Sequence, residues 1–342
     1  MDRWAVTALS RHDVAVPSSF SLRRVSDDAS FRRYFRAKIG ERSWIFVDAP
    51  PEEEDSEPFV QVAARLGAHG LNVPRVIDAD LAAGFMMLSD LGDDLYLDHV
   101  REYEKADNEL AVERLYADAF SSLVRIQKIP AIDLPAYDDR LLRQEMDLFP
   151  EWFLAEQLGM ALDEKEFDLL MQVSELLIDN ALAQPVVLVH RDYHSRNLMV
   201  TSRQNPGILD FQDAVYGPVT YDLVSLLKDC YVRFPASRIH KWVEDYRYLA
   251  IQEGIVAPSI SSATFKRWFD LMGLQRHLKC AGIFSRLHLR DGKARYLGDV
   301  PLVVDYIREV CDQYGELAPF RIWMNERVVP LLEADPEFTV RR

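Results

Sequence analysis

One stretch narrows what this chain can become more than any other: LVHRDYHSRNLMV at 188–200, then GILDFQD at 207–213. Its short apolar runs, VVLV, NLMV and GILDF, alternate with polar clusters, as short strands alternate with loops. Asp192 and Asn197 lie five residues apart on the first loop, and Asp210 follows on the next run. Such a set suits the transfer of a phosphoryl group to a hydroxyl. One carboxylate can orient the hydroxyl and accept its proton. An amide oxygen and a second carboxylate are hard ligands of the kind Mg2+ takes, and the cation offsets the negative phosphate oxygens of a nucleotide. Asp192 is therefore the candidate base, and Asn197 and Asp210 are the candidate metal ligands. A nucleotide and Mg2+ are the cofactors this chemistry calls for. The plainer alternative is that Asp192 caps a turn and Asp210 ends a strand.

The flanking sequence divides by pattern. In SFRRYFRAKI the apolar Phe31, Phe35, Ala37 and Ile39 alternate with Arg32, Tyr34, Arg36 and Lys38, which predicts a strand. Gly40-Glu41-Arg42 is a turn candidate and WIFV at 44–47 a second strand, so the two read as a hairpin. A polar loop, PPEEEDSEP, leads into a short helix at 58–69, and VPRVIDAD and GFMMLSDLG read as two more strands. Helical spacing takes over beyond Gly92. Val112, Leu115, Ala119, Leu123 and Ile126 form one stripe, and Asp163 with Glu166 is a capping-box start to a helix ending near Ala183. Further helices are expected at about 219–231, 237–254, 261–289, 299–314 and 319–333.

Length and charge bound the rest. At 342 residues one large domain or two unequal lobes is expected, and 49% hydrophobic residues suffice for a sizeable core. A net charge of −15 argues against a nucleic-acid partner, which needs clustered Lys and Arg. Cys230, Cys280 and Cys311 are far apart and odd in number, so neither a disulfide framework nor a zinc spacing is present. The opening, MDRWAVTALSRHDVAVP, lacks an apolar signal core, and no run reaches a membrane span. A cytoplasmic protein with no membrane partner is expected.

His190, Arg191, Asp192 and Asn197 match the protein-kinase loop H-R-D-x-x-x-x-N letter for letter, and Asp210-Phe211 sits where that fold carries Asp-Phe-Gly, with Gln212 in place of the glycine. With QDAVYGPVTYDLVSLLKDCY and the strand-rich first segment, nearly the whole chain resembles the aminoglycoside phosphotransferase family. DASFRRYFR, VDAPPEEED and LLRQEMDLFPEWFL extend the likeness to the bacterial N-acetylmuramate/N-acetylglucosamine anomeric kinases of cell-wall recycling. The resemblance implies an α+β, two-lobed protein-kinase-like fold. Residues 1–91 would be a small antiparallel-sheet nucleotide lobe, and 92–342 a large, mainly helical lobe with the catalytic loop and acceptor site. It implies ATP-dependent phosphorylation of a sugar C1 hydroxyl, and a product passed to a sugar-1-phosphate nucleotidyltransferase. Asp192 matches the base, and Asn197 and Asp210 the metal ligands. His190 and Asp222 match residues that support the loop, Asp222 being equally readable as a helix-start carboxylate. Residues 88–92, including Ser89, Asp90 and Leu91, match the connector whose backbone binds an adenine.

Two departures stand out. The nucleotide-covering loop, SDDASFRRY, has no glycine, so Ser30 and nearby amides would serve the phosphates. The strand that normally ends in a phosphate-pairing Lys ends in Asp48, and its helical Glu partner aligns with Phe59. Either Arg32 or Arg33 replaces that cation, or the chain is a nucleotide-binding pseudokinase. For the acceptor, Arg191, His194 and Arg196, with Lys228 and Arg233 nearby and Arg276, His277 and Lys279 on a helix, favour an anionic sugar over a polycationic aminoglycoside. Asp213 and Tyr216 could hydrogen-bond sugar hydroxyls. Each of these has an ordinary surface or loop-shaping alternative, and another small alcohol remains open as acceptor. A metal-dependent hydrolase using His190, Asp192 and His194 lacks a further supporting ligand.

Overall fold

A computed structural model of the chain describes residues 1–27, 31–130 and 133–339. In chain order its first elements are helix α1 (Asp2–Arg11), strands β1 (Arg23–Asp27), β2 (Arg33–Ile39) and β3 (Arg42–Asp48), helix α2 (Glu57–Ala68) and strands β4 (Val76–Asp80) and β5 (Phe85–Ser89). Helices α3 (Tyr96–Lys105), α4 (Glu109–Gln127), α5 (Asp139–Leu148) and α6 (Glu164–Leu182) follow, with a π-helical stretch at Phe149–Gln157. Strands β6 (Val186–Val189), β7 (Leu198–Met199), β8 (Gly207–Ile208) and β9 (Val215–Pro218) interrupt the helices, which resume as α7 (Tyr221–Leu227), α8 (Ala236–Gln252), α9 (Ser262–Leu289) and α10 (Val300–Cys311). Shorter helical turns complete the chain from Ala318 to Thr339.

Two compact units divide these elements. One comprises residues 1–126 and 196–214, the other 127–195 and 215–342. In the first, the described strands form an antiparallel sheet in the order β1-β2-β3-β5-β4. The β2–β3 hairpin pairs Ile39 with Arg42 across Gly40-Glu41, as expected. Gly40 has φ +63, a conformation that costs a glycine little and other residues more. Helix α1, which the alternation-based reading does not anticipate, lays Ala5, Ala8 and Leu9 against Trp44, Phe46 and Met87. Those three residues recur at helical spacing, and burying them caps one face of the sheet. A second difference lies at the start of β2. Phe31 is 63% exposed while Arg32 is buried. The Phe31 N–H donates to Glu54 Oε1, and Arg32 donates to the Asp55 carbonyl at 3.3 Å and lies 3.2 Å from Glu54. The acidic loop thus captures this pair, and the strand's alternation begins only at Arg33.

The second unit is built around α9, which is buried on most of its surface and packs against α5, α6, α7, α10 and the π-helical stretch. Gly282 permits the closest approach: a Cβ there would lie 2.3 Å from the Leu148 carbonyl oxygen. The capping box at α6 is present, with Asp163 accepting from the Glu166 N–H and Glu166 accepting from the Asp163 N–H. A short β6–β9 pair carries the chain into the loop at 190–195.

Candidate active site

In the second unit, β6 delivers the chain into His190-Arg191-Asp192. Asp222, one residue into α7, holds this turn by its backbone: Oδ2 accepts the His190 N–H at 2.7 Å and Oδ1 the Arg191 N–H at 2.9 Å. Arg191 takes φ +76, and a left-handed non-glycine residue needs such support. The Asp192 N–H donates to His190 Nδ1 at 3.2 Å. Further along, Asp229 accepts both the N–H and the hydroxyl of Ser195, at 3.0 and 2.5 Å. Burial pushes the Asp222 carboxyl up to about 7, against its two backbone donors, which favour the charged form. Burial also opposes charge on Asp192, but the positive groups of His194, Lys279, Arg276 and Arg191 outweigh it and hold that carboxyl below its ordinary range. Asp192 is thus ionised at neutral pH and able to accept a hydroxyl proton.

In the first unit, β7 and β8 pair Leu198 with Ile208 and Met199 with Gly207. The ladder continues as Leu209 N–H to Asn197 C=O at 2.9 Å, so Asn197 and Asp210 emerge together. The Asn197 amide donates to Asp210 Oδ2 at 3.1 Å, and Gln212 Nε2 to Asp210 Oδ1 at 2.8 Å. Asp210 has φ +63. Gln212, standing where the related pattern has glycine, therefore positions the carboxylate. Among the described residues no group of three or more His, Cys, Asp or Glu could hold a metal. An oxygen pair from Asn197 and Asp210 fits Mg2+, which takes one or two carboxylates and completes its shell with phosphate oxygens and water.

The other candidates of this unit are placed as follows. Ser30 lies outside the described residues. Arg32 is engaged with Glu54, and Arg33 pairs with Asp48 at 2.5 Å where β2 begins and β3 ends. The Ser89 hydroxyl accepts the Arg75 N–H. Asp90 is gripped by Arg36 through Nε at 2.6 Å and Nη2 at 2.9 Å, and Arg36 also bonds Asp93 and the Gly92 carbonyl. Arg36 thus fastens the turn at 90–93, although strand alternation alone assigns it to a polar face. Leu91 crowds Gly207, where a Cβ would stand 2.9 Å from Leu91 Cδ1. Arg196 is half-buried and Asp213 exposed.

Among the acceptor candidates of the second unit, Arg191 bonds Glu145 of α5, and its guanidinium lies over the Tyr137 ring. His194 is buried, edge-on to Tyr231. The Tyr216 hydroxyl donates to the Pro130 carbonyl. Glu145 is the hub that sequence reasoning missed: Lys279 Nζ lies 2.7 Å from it, and the Tyr137 hydroxyl and Gln275 also donate to it. Burial opposes its charge, but Lys279 and Arg191 keep its carboxyl below the ordinary range. One signal was available, since Glu145 falls on the apolar stripe of Leu142, Met146 and Phe149.

Comparisons with known proteins meet this geometry. The model of the phosphotransferase enzyme family matches residues 21–254. An N-acetylmuramate/N-acetylglucosamine kinase of Pseudomonas putida is 49% identical over 299 residues, covering 87% of this chain and 86% of that protein. One of Neisseria meningitidis is 40% identical, covering 96% and 95%. Among solved structures, a choline kinase from Cryptosporidium parvum superposes with a TM-score of 0.65 at 12% identity, covering 95% of this chain and all of that one. An ADP-bound aminoglycoside phosphotransferase gives 0.57 at 15%, covering 91% and 99%. At such identities the two structures speak for the fold alone, and they bear out the expected α+β protein-kinase-like class.

Proposed function

The chain belongs to the phosphotransferase enzyme family, and on that premise we propose that it transfers the terminal phosphoryl group of ATP to the C1 hydroxyl of N-acetylmuramate and N-acetylglucosamine. The observation that carries the sugar is the activity named for relatives 49% and 40% identical along most of both chains. In this reading residues 1–91 serve the nucleotide and residues 92–342 carry the catalytic loop and acceptor site. The product, a sugar 1-phosphate, is of the class a nucleotidyltransferase consumes. A reaction fed by ATP belongs in the cytoplasm, and among the described residues no helix is long and apolar enough to cross a membrane.

Each residue then has a task. Asp192 orients the acceptor hydroxyl and takes its proton as the new P–O bond forms and the bond from the terminal phosphorus to the departing ADP breaks. Asp222 and Asp229 fix the loop on which Asp192 sits, through the His190, Arg191 and Ser195 backbone bonds. Asn197 and Asp210 would hold Mg2+, and Gln212 would keep Asp210 turned for it. Bound there with ATP, the cation would offset the negative charge of the phosphate oxygens. A panel of N-acetylated sugars, aminoglycosides and amino alcohols scored for ADP release tests the reading, with phosphorus NMR locating the phosphate on the product. ADP release with aminoglycosides or amino alcohols but neither sugar sinks the acceptor assignment. ATP binding without ADP release from any acceptor sinks the kinase and leaves a pseudokinase.

A further inference from the structure

The second unit carries several basic side chains, and they are not equally committed. Arg191 and Lys279 share Glu145, and Lys279 also donates to the Tyr221 hydroxyl at 2.9 Å. Lys228 lies 3.8 Å from Asp270 and over the rings of Phe269 and Tyr306. His277 stacks on Tyr306 and bonds the Lys228 carbonyl. Arg233, half-exposed, pairs with Asp305 and Glu309. Arg276 differs. It is 5% exposed, and its guanidinium donates from Nη1 to the Cys230 sulfur at 3.6 Å. Among the described residues it forms no ion pair. A thiol is a weak acceptor, and a guanidinium taken out of water without an acid is costly. Cys230 lies between Asp229, which accepts from Ser195, and Tyr231, which packs on His194, so Arg276 sits behind the loop that carries Asp192.

The two proposed sugars differ by one charged group, the carboxylate of the lactyl ether that N-acetylmuramate carries and N-acetylglucosamine lacks. We propose that Arg276 is the specificity-determining residue of the acceptor site and binds that carboxylate. The inference rests on the amino-sugar kinase reading. A guanidinium presents a planar fork matched to a carboxylate, and a carboxylate docked there replaces the thiol with a full counter-charge. The neutral sugar leaves Arg276 as it stands and binds through its remaining groups.

The test crosses ligand charge with residue charge. KM is measured for N-acetylmuramate, its methyl ester and N-acetylglucosamine, on the unaltered protein and on Arg276→Gln and Arg276→Lys. The acid is expected to bind about tenfold or more better than its ester to the unaltered protein. Arg276→Gln raises KM for the acid by about tenfold to a hundredfold and leaves the ester and N-acetylglucosamine within about twofold. Arg276→Lys restores part of the acid's advantage, since it keeps the charge and loses the fork. Equal KM for acid and ester on the unaltered protein overturns the proposal, and that comparison needs no variant to fold. So does a rise in KM in Arg276→Gln that falls alike on both sugars. No ADP release from any of the three ligands on the unaltered protein brings down the kinase reading, and this inference falls with it.

Discussion

The loop at 190–195 and the hairpin at 33–48 both carry charged residues, but they hold them in opposite ways. Around the loop the acids are buried and fully bonded: Asp222 takes two backbone N–H groups, Asp229 takes Ser195 twice, and Glu145 takes Arg191 and Lys279. Losing one partner there strands a buried charge, so each residue is strongly constrained. On the hairpin, Arg33 is half-exposed and pairs at the strand ends with Asp48, which is 15% exposed, so water reaches the pair from the arginine side and weakens it. That contrast gives a physical reason why the loop keeps the related motif letter for letter while the strand end replaces an expected Lys with Asp48. Where geometry is enforced by desolvated charge, drift is expensive. Where water screens the charge, drift is nearly neutral.

The sharpest break of this comparison is Asp192→Asn. It should lower ADP release by about a hundredfold to ten-thousandfold, the usual worth of a positioned base, with nucleotide affinity unchanged in a calorimetric titration. A collapse of the melting transition instead would make Asp192 structural. The brace behind it is tested by pH. The Asp222 carboxyl sits at about 7 in the folded chain against an ordinary 3.8. Between those values the folded state binds more protons than the unfolded one, so stability falls as pH rises through that window, by up to ~4 kcal/mol. Asp222→Asn removes this slope. It also leaves one loop N–H facing an amide NH2, at a cost of about 1–3 kcal/mol. Urea midpoints at about pH 5 and about pH 8 decide the matter, an unchanged slope counting against a raised carboxyl.

What could be read from sequence was whatever depends on neighbours along the chain. The FRAKI and WIFV alternation, the Gly40 turn, the Asp163–Glu166 capping box and the buried stripe of α4 are local, and the structure carries each of them. The misses are of two kinds. Helix α1 was legible in the spacing of Ala5, Ala8 and Leu9, but reading the opening for a leader concealed its role as a cover for the sheet. Glu145, Arg36 and Asp229 were hidden for another reason. Their partners are Arg191 and Lys279, Asp90, and Ser195, and such pairings are fixed by tertiary packing, which periodicity does not encode. Phe31 and Arg32 exchanged inside and outside because the acidic loop at 50–56 competes with strand alternation for the arginine.

A smaller effect is expected from Gln212→Ala. Removing the amide that bonds Asp210 Oδ1 frees a candidate metal ligand without removing it. Partners of this kind typically account for about tenfold to a hundredfold in metal affinity. The Mg2+ concentration giving half-maximal ADP release should rise by that factor while the KM for sugar stays put. A change in sugar KM alone would detach Gln212 from the metal side.

The smallest effect is predicted for Asp48→Lys, which restores the residue expected at the strand end. If a pair that water reaches from its Arg33 side is what holds Asp48, the substitution sets Lys beside Arg33 and exchanges a modest attraction for a modest repulsion, a loss of about 1 kcal/mol in urea unfolding. On the kinase reading ADP release should not rise, because that reading assigns the chemistry to Asp192, Asn197 and Asp210 and not to position 48. A marked gain in turnover would mean that the nucleotide had lacked its cation. In that case the drift at the strand end was never neutral, and the contrast between the buried loop and the exposed hairpin would fail on its exposed side.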